Sequence, residues 1–210
     1  MTLSVSVFSI GPMGNNSYLI YDPQINQGVV IDPSFGSKLI MNEAVRMGLQ
    51  ITAIWLTHAH FDHIAGVAEL VSSPDSSIPI NIHPKDLKLY QQNGGADEFG
   101  LTIAPGPTPT SFFEHGQLLQ IGANTFEVRH TPGHTPGHVV FYSASERLVF
   151  CGDLIFQNGI GRTDLPGGSF AELVNSIQTQ IFTLPPETRL LPGHGSDTTV
   201  EEEREGLSAY

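Results

Sequence analysis

The sequence has a single cysteine, Cys151, which excludes an intrachain disulfide. A lone thiol is typical of a reducing compartment, where disulfides rarely persist. The amino-terminal residues have neither a basic start nor a long apolar run, unlike a secretion signal or a membrane-spanning helix. We therefore expect a cytoplasmic protein with no membrane partner. We also expect Cys151 itself to be a buried and inert thiol, because it lies at the end of an apolar strand.

Basic residues are also scarce, with 9 Lys and Arg against 21 Asp and Glu and a formal net charge of -12. Proteins that bind nucleic acids depend on cations that replace the counterions of the phosphate backbone. An acidic surface of this kind favours solubility and disfavours a nucleic-acid partner. The composition leaves the oligomeric state open.

Several familiar signatures are absent as well. The chain has no GxSxG motif, no glycine-rich phosphate loop after a strand, no sequence repeat and no low-complexity segment. Its 210 residues, 40% of them hydrophobic, suit one sizeable core. We expect one domain over residues 1–210.

Apolar periodicity predicts strands and helices in two similar halves, which suggests two packed sheets with helices outside. The first half gives strands at 3–9, 17–22, 29–32, 52–56 and 78–83, with helices at 37–47, 64–71 and 84–92. The second half gives strands at 117–121, 125–130, 138–143, 147–151 and 189–192, with helices at 169–182 and 197–206. Residues 93–111 are predicted to be irregular, either a lid over a site or a surface excursion.

Three of the nine histidines fall in the string HAHFDH at residues 58–63, together with Asp62. The string directly follows the apolar run 52–56, which is typical of a buried strand. Packing gives no reason to gather so many titratable side chains at one point. Imidazole and carboxylate groups are, however, the usual ligands of zinc, iron and manganese. Alternate residues of an extended segment project to one side, so His58 and His60 can bind the same ion.

Three later segments contain residues of the same ligand types next to small residues. They are HTPGHTPGH (130–138), FCGD (150–153) and LPGHG (191–195). These segments add His134, Asp153 and His194 as candidate ligands.

The order of these motifs, HxHxDH, GHTPGH, GD and then PGH, resembles the metallo-β-lactamase superfamily, and within it the glyoxalase II-like hydrolases. The resemblance extends over nearly the whole chain. It implies an α+β fold, an αββα sandwich of two β-sheets with helices on the outer faces and a metal site at one edge. It further implies two divalent metal ions, with zinc favoured and iron or manganese as alternatives.

The resemblance also assigns the ligands and a reaction. The first ion would be bound by His58, His60 and His134, the second by Asp62, His63 and His194, with Asp153 bridging the two. A hydroxide that bridges the ions would attack the carbonyl of a small-molecule thioester such as S-lactoylglutathione. Asp62 and Asp153 are the candidates for transferring a proton during this reaction.

Three further residues are candidates for supporting roles. Arg162 resembles a basic residue that binds the substrate carboxylate in the family, and the alternative is a structural arginine bonded to Asp164. Asp32 resembles a buried aspartate that orients a metal-bound histidine, and the alternative is an Asp-Pro turn. His138 is expected to orient a ligand rather than to bind a metal.

Two departures concern glutathione. Ser196 stands two positions after the last motif histidine, where glyoxalase II has an aromatic residue. The chain also extends only to residue 210, so it resembles the short relatives without the helical domain that contacts glutathione. The main alternative is a persulfide dioxygenase of the same fold, which has one iron and shares the stretches GRTD (161–164) and TVEEER (199–204). Another esterase or lactonase of this fold is the third possibility.

Overall fold

Two six-stranded β-sheets form the centre of the protein, in a computed structural model that describes residues 3–71, 78–104 and 106–206. The first sheet has the strand order β1 (Ser4–Ile10), β2 (Asn15–Asp22), β3 (Gln27–Ile31), β4 (Gln50–Trp55), β5 (Ile80–Ile82) and β6 (Ser111–Phe112). The β1–β2 and β2–β3 pairs are antiparallel, and the later pairs are parallel. The parallel pairs need long connections, and these carry the helices of the first half.

The second sheet has the spatial order β7 (Leu118–Ile121), β8 (Asn124–His130), β9 (Val139–Ser143), β10 (Leu148–Gly152), β13 (Arg189–Pro192) and β14 (Thr198–Thr199). Only the β10–β13 pair among these described strands is parallel. A small hairpin of β11 (Ile155–Phe156) and β12 (Gly159–Ile160) lies between β10 and β13 in the chain.

Helices pack on the outer face of each sheet. The first half has α1 (Lys38–Arg46), α2 (Phe61–Ile64), α3 (Val67–Leu70) and α4 (Leu87–Gln91), with 3₁₀ segments at 84–86 and 93–99. The second half has α5 (Phe170–Ser176), which continues as a π-helix over 177–181, and α6 (Val200–Gly206). Among the described residues, no helix is long and apolar enough to span a bilayer.

The alternating side chains of the strands separate three apolar layers. In β2, Leu19 packs under the helices of the first half, whereas Tyr18 and Ile20 face the second sheet. Trp55 lies in the layer between the sheets, where its ring contacts Phe126 and Phe141 with centroids 5.5 and 5.2 Å apart. The third layer lies between the second sheet and the helical residues 170–181 and 200. The expected αββα sandwich is confirmed.

The structure differs from the prediction in several connections. The helix predicted at 64–71 is the pair α2 and α3, which is broken near Gly66, where the glycine N–H donates to Pro33 O. The predicted loop at 93–111 contains the 3₁₀ segment and β6, and its residue 105 lies outside the described part of the chain. The β11–β12 hairpin was not predicted, although Asn158 followed by Gly159 is a hairpin signal in the sequence; in the structure the turn is Gln157 and Asn158, and Gly159 begins β12.

Candidate metal centre

The HAHFDH string connects β4 to α2 at one edge of the sandwich. His60 is still extended, with φ -65° and ψ 147°, and it directly precedes the helical turn that holds Asp62 and His63. The other three predicted ligands come from the second half. His134 lies in the connection between β8 and β9, Asp153 follows β10, and His194 follows β13. Six of the seven side chains are buried, and His194 is half-buried.

Three histidines form the first group of candidate ligands. His134 Nε2 lies 3.2 Å from His58 Nε2 and 2.8 Å from His60 Nδ1. All three nitrogen atoms lie within 4.8 Å of one another, which is the separation expected of atoms that could bind one ion. This group joins the two halves of the sandwich.

The second group consists of Asp62, His63 and His194, whose ligand atoms also lie within 4.8 Å of one another. Asp62 Oδ2 lies 3.7 Å from His63 Nε2 and 3.3 Å from His194 Nε2. Asp62 is held in place by Asn15, whose Nδ2 donates to Asp62 Oδ2 over 2.8 Å.

Asp153 lies between the two groups. Its Oδ1 is 3.3 Å from His63 Nε2. Its Oδ2 is 3.7 Å from His134 Nε2 and 3.6 Å from His194 Nε2. One carboxylate therefore faces members of both groups, as a bridging ligand must.

Two atoms of this centre test whether a metal fits. His63 Nε2 and Asp153 Oδ1 are buried 3.3 Å apart without a well-aligned hydrogen bond between them, and neither has another hydrogen-bond partner. Buried polar atoms are almost always paired, because an unpaired one loses its hydration without compensation. A nitrogen lone pair and a carboxylate oxygen that converge in this way are a suitable donor set for a divalent cation.

In four of the five candidate ligand histidines, the contacts of the outer ring nitrogen indicate which nitrogen faces the centre. The Nδ1 atoms of four histidines lie 2.8–3.2 Å from oxygen acceptors: His58 from Thr57 Oγ1, His63 from Asp32 Oδ2, His134 from Arg162 O and His194 from Met13 O. An Nδ1–H that donates to such an acceptor leaves the Nε2 lone pair directed inward. The tautomers required for metal binding are thus set by the surrounding chain.

Asp32 makes the most extensive of these outer contacts. Its carboxylate accepts hydrogen bonds from Thr57 N (2.7 Å), Thr57 Oγ1 (2.6 Å) and His63 Nδ1 (3.0 Å). Because the threonine hydroxyl donates to Asp32, it is left to accept a bond from His58. Asp32 also has a positive φ of 49° before Pro33, so it is both a turn residue and a contact of His63.

His138 lies behind the centre and outside the two ligand groups. Its side chain is fully buried, and its Nε2 accepts a 3.2 Å hydrogen bond from the backbone N–H of Asp153. Its Nδ1 lies 2.9 Å from Thr131 Oγ1, which completes its pairing. The side chain therefore positions the backbone from which the Asp153 carboxylate extends.

Burial controls the charge of most of these imidazoles. It lowers the pKa of His58, His134 and His138, and it lowers the pKa of His60 to about 3. These rings are neutral near pH 7, which is the form that binds metals.

His63 is the exception among the buried imidazoles. Burial disfavours its charged form, but Asp153 and Asp62 outweigh burial and raise the pKa of His63 well above its ordinary range. The same pairing holds the pKa of both carboxyl groups below the ordinary range, although burial opposes this. A proton and a metal cation therefore compete for His63 Nε2.

Asp86 is a buried carboxylate that sequence reasoning missed. It accepts hydrogen bonds from Ala59 N (3.1 Å), Thr135 Oγ1 (2.7 Å) and Gly137 N (2.6 Å). It thus connects the HAHFDH string to the turn that contains His134. Nothing in its surroundings in the sequence marks it, because Pro84 and Lys85 beside it are exposed.

Arg162 lies at the mouth of the centre. Its guanidinium makes two 2.8 Å hydrogen bonds to the exposed carboxylate of Asp164, so the ion pair anticipated as an alternative is present. Arg162 also lines a cavity of about 170 Å³ together with Met13, Phe99 and ligand residues of both groups. Its binding of a substrate carboxylate stays a prediction.

Gly94 fixes the 3₁₀ segment against the HAHFDH string. Its φ is +62°, and an added Cβ would lie 2.6 Å from Ala59 O and closer still to Phe61 N. Gly95 also has a positive φ of 76°, but its Cβ would meet nothing within 4 Å. Alanine at Gly95 therefore tests backbone strain alone, whereas alanine at Gly94 tests strain together with close packing.

We expect Gly94→Ala to lower the free energy of unfolding by about 3 kcal/mol, through about 1 kcal/mol of left-handed strain and about 2 kcal/mol of overpacking. Gly95→Ala has only the strain and should lower it by about 1 kcal/mol. Urea unfolding of the metal-loaded proteins measures both. Equal losses in the two variants would show that the contact with the string contributes nothing.

Comparison with known proteins places these features in a family. The family profile described as the metallo-beta-lactamase superfamily matches residues 10–194. Hydroxyacylglutathione hydrolase GloC of Haemophilus influenzae is 31% identical over 204 residues, which cover 96% of this chain and 95% of that protein. "Probable metallo-hydrolase YqgX" of Bacillus subtilis is 37% identical over 199 residues, which cover 93% of this chain and 92% of that protein. The crystal structure of TTHA1623 in a di-iron-bound form has a TM-score of 0.86 at 40% identity, covering 96% of this chain and 98% of that chain.

Proposed function

The chain belongs to the metallo-β-lactamase superfamily and is a metallo-hydrolase, and we propose that it hydrolyses a small-molecule thioester with two divalent metal ions bound. The single observation that carries this proposal is the position of Asp153 between two groups of three ligand residues. The di-iron form of TTHA1623 supports two ions, and the hydrolase GloC supports a thioester as the substrate.

In this proposal, each group of ligands binds one ion. His58, His60 and His134 would hold the first ion, Asp62, His63 and His194 would hold the second, and Asp153 would contribute to both. Zinc is favoured, and nitrogen and oxygen donors suit iron and manganese as well.

When bound, the two ions supply Lewis acidity, which lowers the pKa of water towards about 7 and polarises the thioester carbonyl. A water oxygen forms the new bond to the carbonyl carbon, the carbon–sulfur bond breaks, and the products are a carboxylic acid and a thiol. Asp62 and Asp153 are the carboxylates at this point, so one of their oxygens accepts the proton of water and returns it to the sulfur.

Three apolar side chains line the smaller cavity, where they would contact the substrate. Met13, Phe99 and Leu165 give the mouth of the smaller cavity an apolar border. Cys151 is fully buried, and burial raises the pKa of its thiol, so it does not act as a nucleophile. This agrees with the inert thiol expected from the sequence.

The test counts the metal ions in the purified protein by elemental analysis and assays the same sample with S-lactoylglutathione in an oxygen-electrode cell. We expect about two ions per chain and thioester hydrolysis without oxygen uptake, and we expect a chelator-treated sample to be inactive until metal is restored. One iron per chain, with oxygen consumed on addition of glutathione persulfide, would replace the proposal with the dioxygenase. Two ions without hydrolysis of any thioester would retain the centre and reject the substrate class.

A further inference from the structure

A second and larger cavity adjoins the metal centre. Its volume is about 470 Å³, within the range of small-molecule sites. It is lined by His60 and by residues of the 3₁₀ segment 93–99, and Leu165 and Pro166 also line it. We call it the outer cavity.

The outer cavity is continuous with the reacting position. It shares His60, Phe99 and Leu165 with the smaller cavity, which Asp153 also lines. A thioester whose carbonyl reaches the metal centre can place its sulfur substituent in the outer cavity, because the two cavities share these residues.

The walls of the outer cavity combine apolar surface with negative charge. Leu89, Phe99 and Leu165 supply apolar surface, and the Phe99 side chain is 41% exposed. Asp97 and Glu98 are exposed on the same segment as Phe99 and also line the cavity.

Positive charge is missing from these walls. Within the described ranges 3–71, 78–104 and 106–206, no lysine or arginine lines the outer cavity. The cation of the smaller cavity, Arg162, is paired with Asp164. A carboxylate in the outer cavity would therefore approach two negative charges with no lysine or arginine in the walls to compensate them.

We infer that the outer cavity binds the thiol half of the substrate and selects a thiol that carries an ammonium group over one that carries carboxylates. The inference rests on the proposed function, because it concerns the leaving group of that reaction. A cation gains from Asp97 and Glu98 and from the face of the Phe99 ring, to which quaternary ammonium groups bind well. Glutathione, with two carboxylates and one ammonium group, should bind such walls less well than a cationic thiol of similar size.

The test uses three thioesters that share an acetyl group and differ in the charge of the thiol. They are S-acetylthiocholine (cationic), S-acetyl-2-mercaptoethanol (neutral) and S-acetyl-3-mercaptopropionate (anionic). For the metal-loaded full chain, we expect kcat/KM to fall by about tenfold at each step from cation to neutral to anion. The differences in kcat/KM among the three substrates should become smaller at high ionic strength, because both carboxylates are exposed to solvent.

Two double variants each remove two negative charges, the first from the outer cavity and the second from α6. Asp97→Asn combined with Glu98→Gln should bring the three substrates to within about threefold of one another. Glu201→Gln combined with Glu205→Gln removes two charges from α6, which lines neither cavity, and should leave the differences among the three substrates unchanged. A similar loss in both double variants would show that overall charge, rather than the outer cavity, sets the preference.

A binding measurement separates this inference from the proposed function. The same three thiols capped with an acetonyl group are thioethers that cannot be hydrolysed, and calorimetry gives their affinities for the metal-loaded protein. Tightest binding of the thiocholine ether, lost in the Asp97/Glu98 variant, would support the inference even if no thioester were hydrolysed. Equal or tighter binding of the mercaptopropionate ether would overturn it, even if every thioester were hydrolysed.

Discussion

Replacing Asp153 with asparagine is expected to lower kcat/KM for thioester hydrolysis by about 10³-fold, the loss found when a preorganised charge is removed from a reacting centre. The substitution keeps the shape of the side chain and removes its charge and one acceptor. The new amide N–H₂ would face imidazole nitrogens that the carboxylate now approaches at 3.3–3.7 Å. We therefore expect the metal content to fall from about two ions per chain to about one.

Asp164→Asn is the matched control for this prediction. Asp164 is exposed, lies at the mouth of the same centre and contacts none of the ligand residues through its side chain in the described structure. Its substitution should leave the metal count unchanged and alter kcat/KM by less than about tenfold. Two ions and nearly full activity in Asp153→Asn would refute the bridging role.

The seven candidate ligands could be predicted because their residue types are rare in buried segments. Three histidines and an aspartate within six residues have no explanation in packing, and the structure places them within a few ångströms of His134, Asp153 and His194. Their grouping follows from strand ends, since the parallel pair β10–β13 brings Asp153 and His194 to the same edge. The PGH motif also has a steric reason, because a Cβ at Gly193 would lie 2.7 Å from His63 Cε1.

Asp32 and His138 were predicted as supporting residues through the family resemblance, and they contact His63 and the backbone of Asp153. Other supporting residues could not be predicted, because their roles depend on tertiary contacts rather than on local pattern. Asn15 looks like part of a polar turn in the sequence, yet it begins β2 and its side chain donates to Asp62, 47 residues away. Arg162 contributes a backbone carbonyl to His134, and such a role is independent of side-chain identity.

The elements of the fold also divide into those that the sequence predicts and those that it does not. Alternation and continuous apolar runs predicted the principal strands, since burial on one or both faces leaves a periodic signal. The two-residue strands β6 and β14 are too short to carry such a signal, and they form only because a neighbouring strand provides hydrogen bonds. The 3₁₀ segment at 93–99 depends on the close approach of Gly94 to Phe61.

Asp86→Ala is expected to cause the largest loss of stability. It would leave three buried donors, the N–H groups of Ala59 and Gly137 and the hydroxyl of Thr135, without their shared acceptor. Each unpaired buried donor costs about 1–3 kcal/mol, so the loss of three should lower the free energy of unfolding by about 3–9 kcal/mol. In a chain of this size, each kcal/mol lowers Tm by about 2–4 °C, so calorimetry should detect a fall of roughly 6 °C or more.

The same substitution should also weaken metal binding, and this effect distinguishes positioning from simple support of the fold. Asp86 connects the strand end that carries His58 and His60 to the turn that carries His134. These three histidines form one ligand group from two halves of the chain, so their convergence depends on this connection. We expect the metal affinity of the folded variant, measured by chelator competition at 25 °C, to fall by about 10- to 100-fold.

Thr135→Val provides the control, because it removes one donor from Asp86 and leaves no new donor unpaired. It should cost about 1 kcal/mol, and metal affinity should change little, since Ala59 and Gly137 still bind the carboxylate. The losses of stability and metal affinity in Asp86→Asn should lie between those of Asp86→Ala and Thr135→Val. The amide retains one acceptor oxygen and directs an N–H₂ group towards one of the donors. If Asp86→Ala lost stability and kept full metal affinity, the convergence of the three histidines would have to be set by the sheets alone. The buried carboxylate would then support the fold without positioning the ligands.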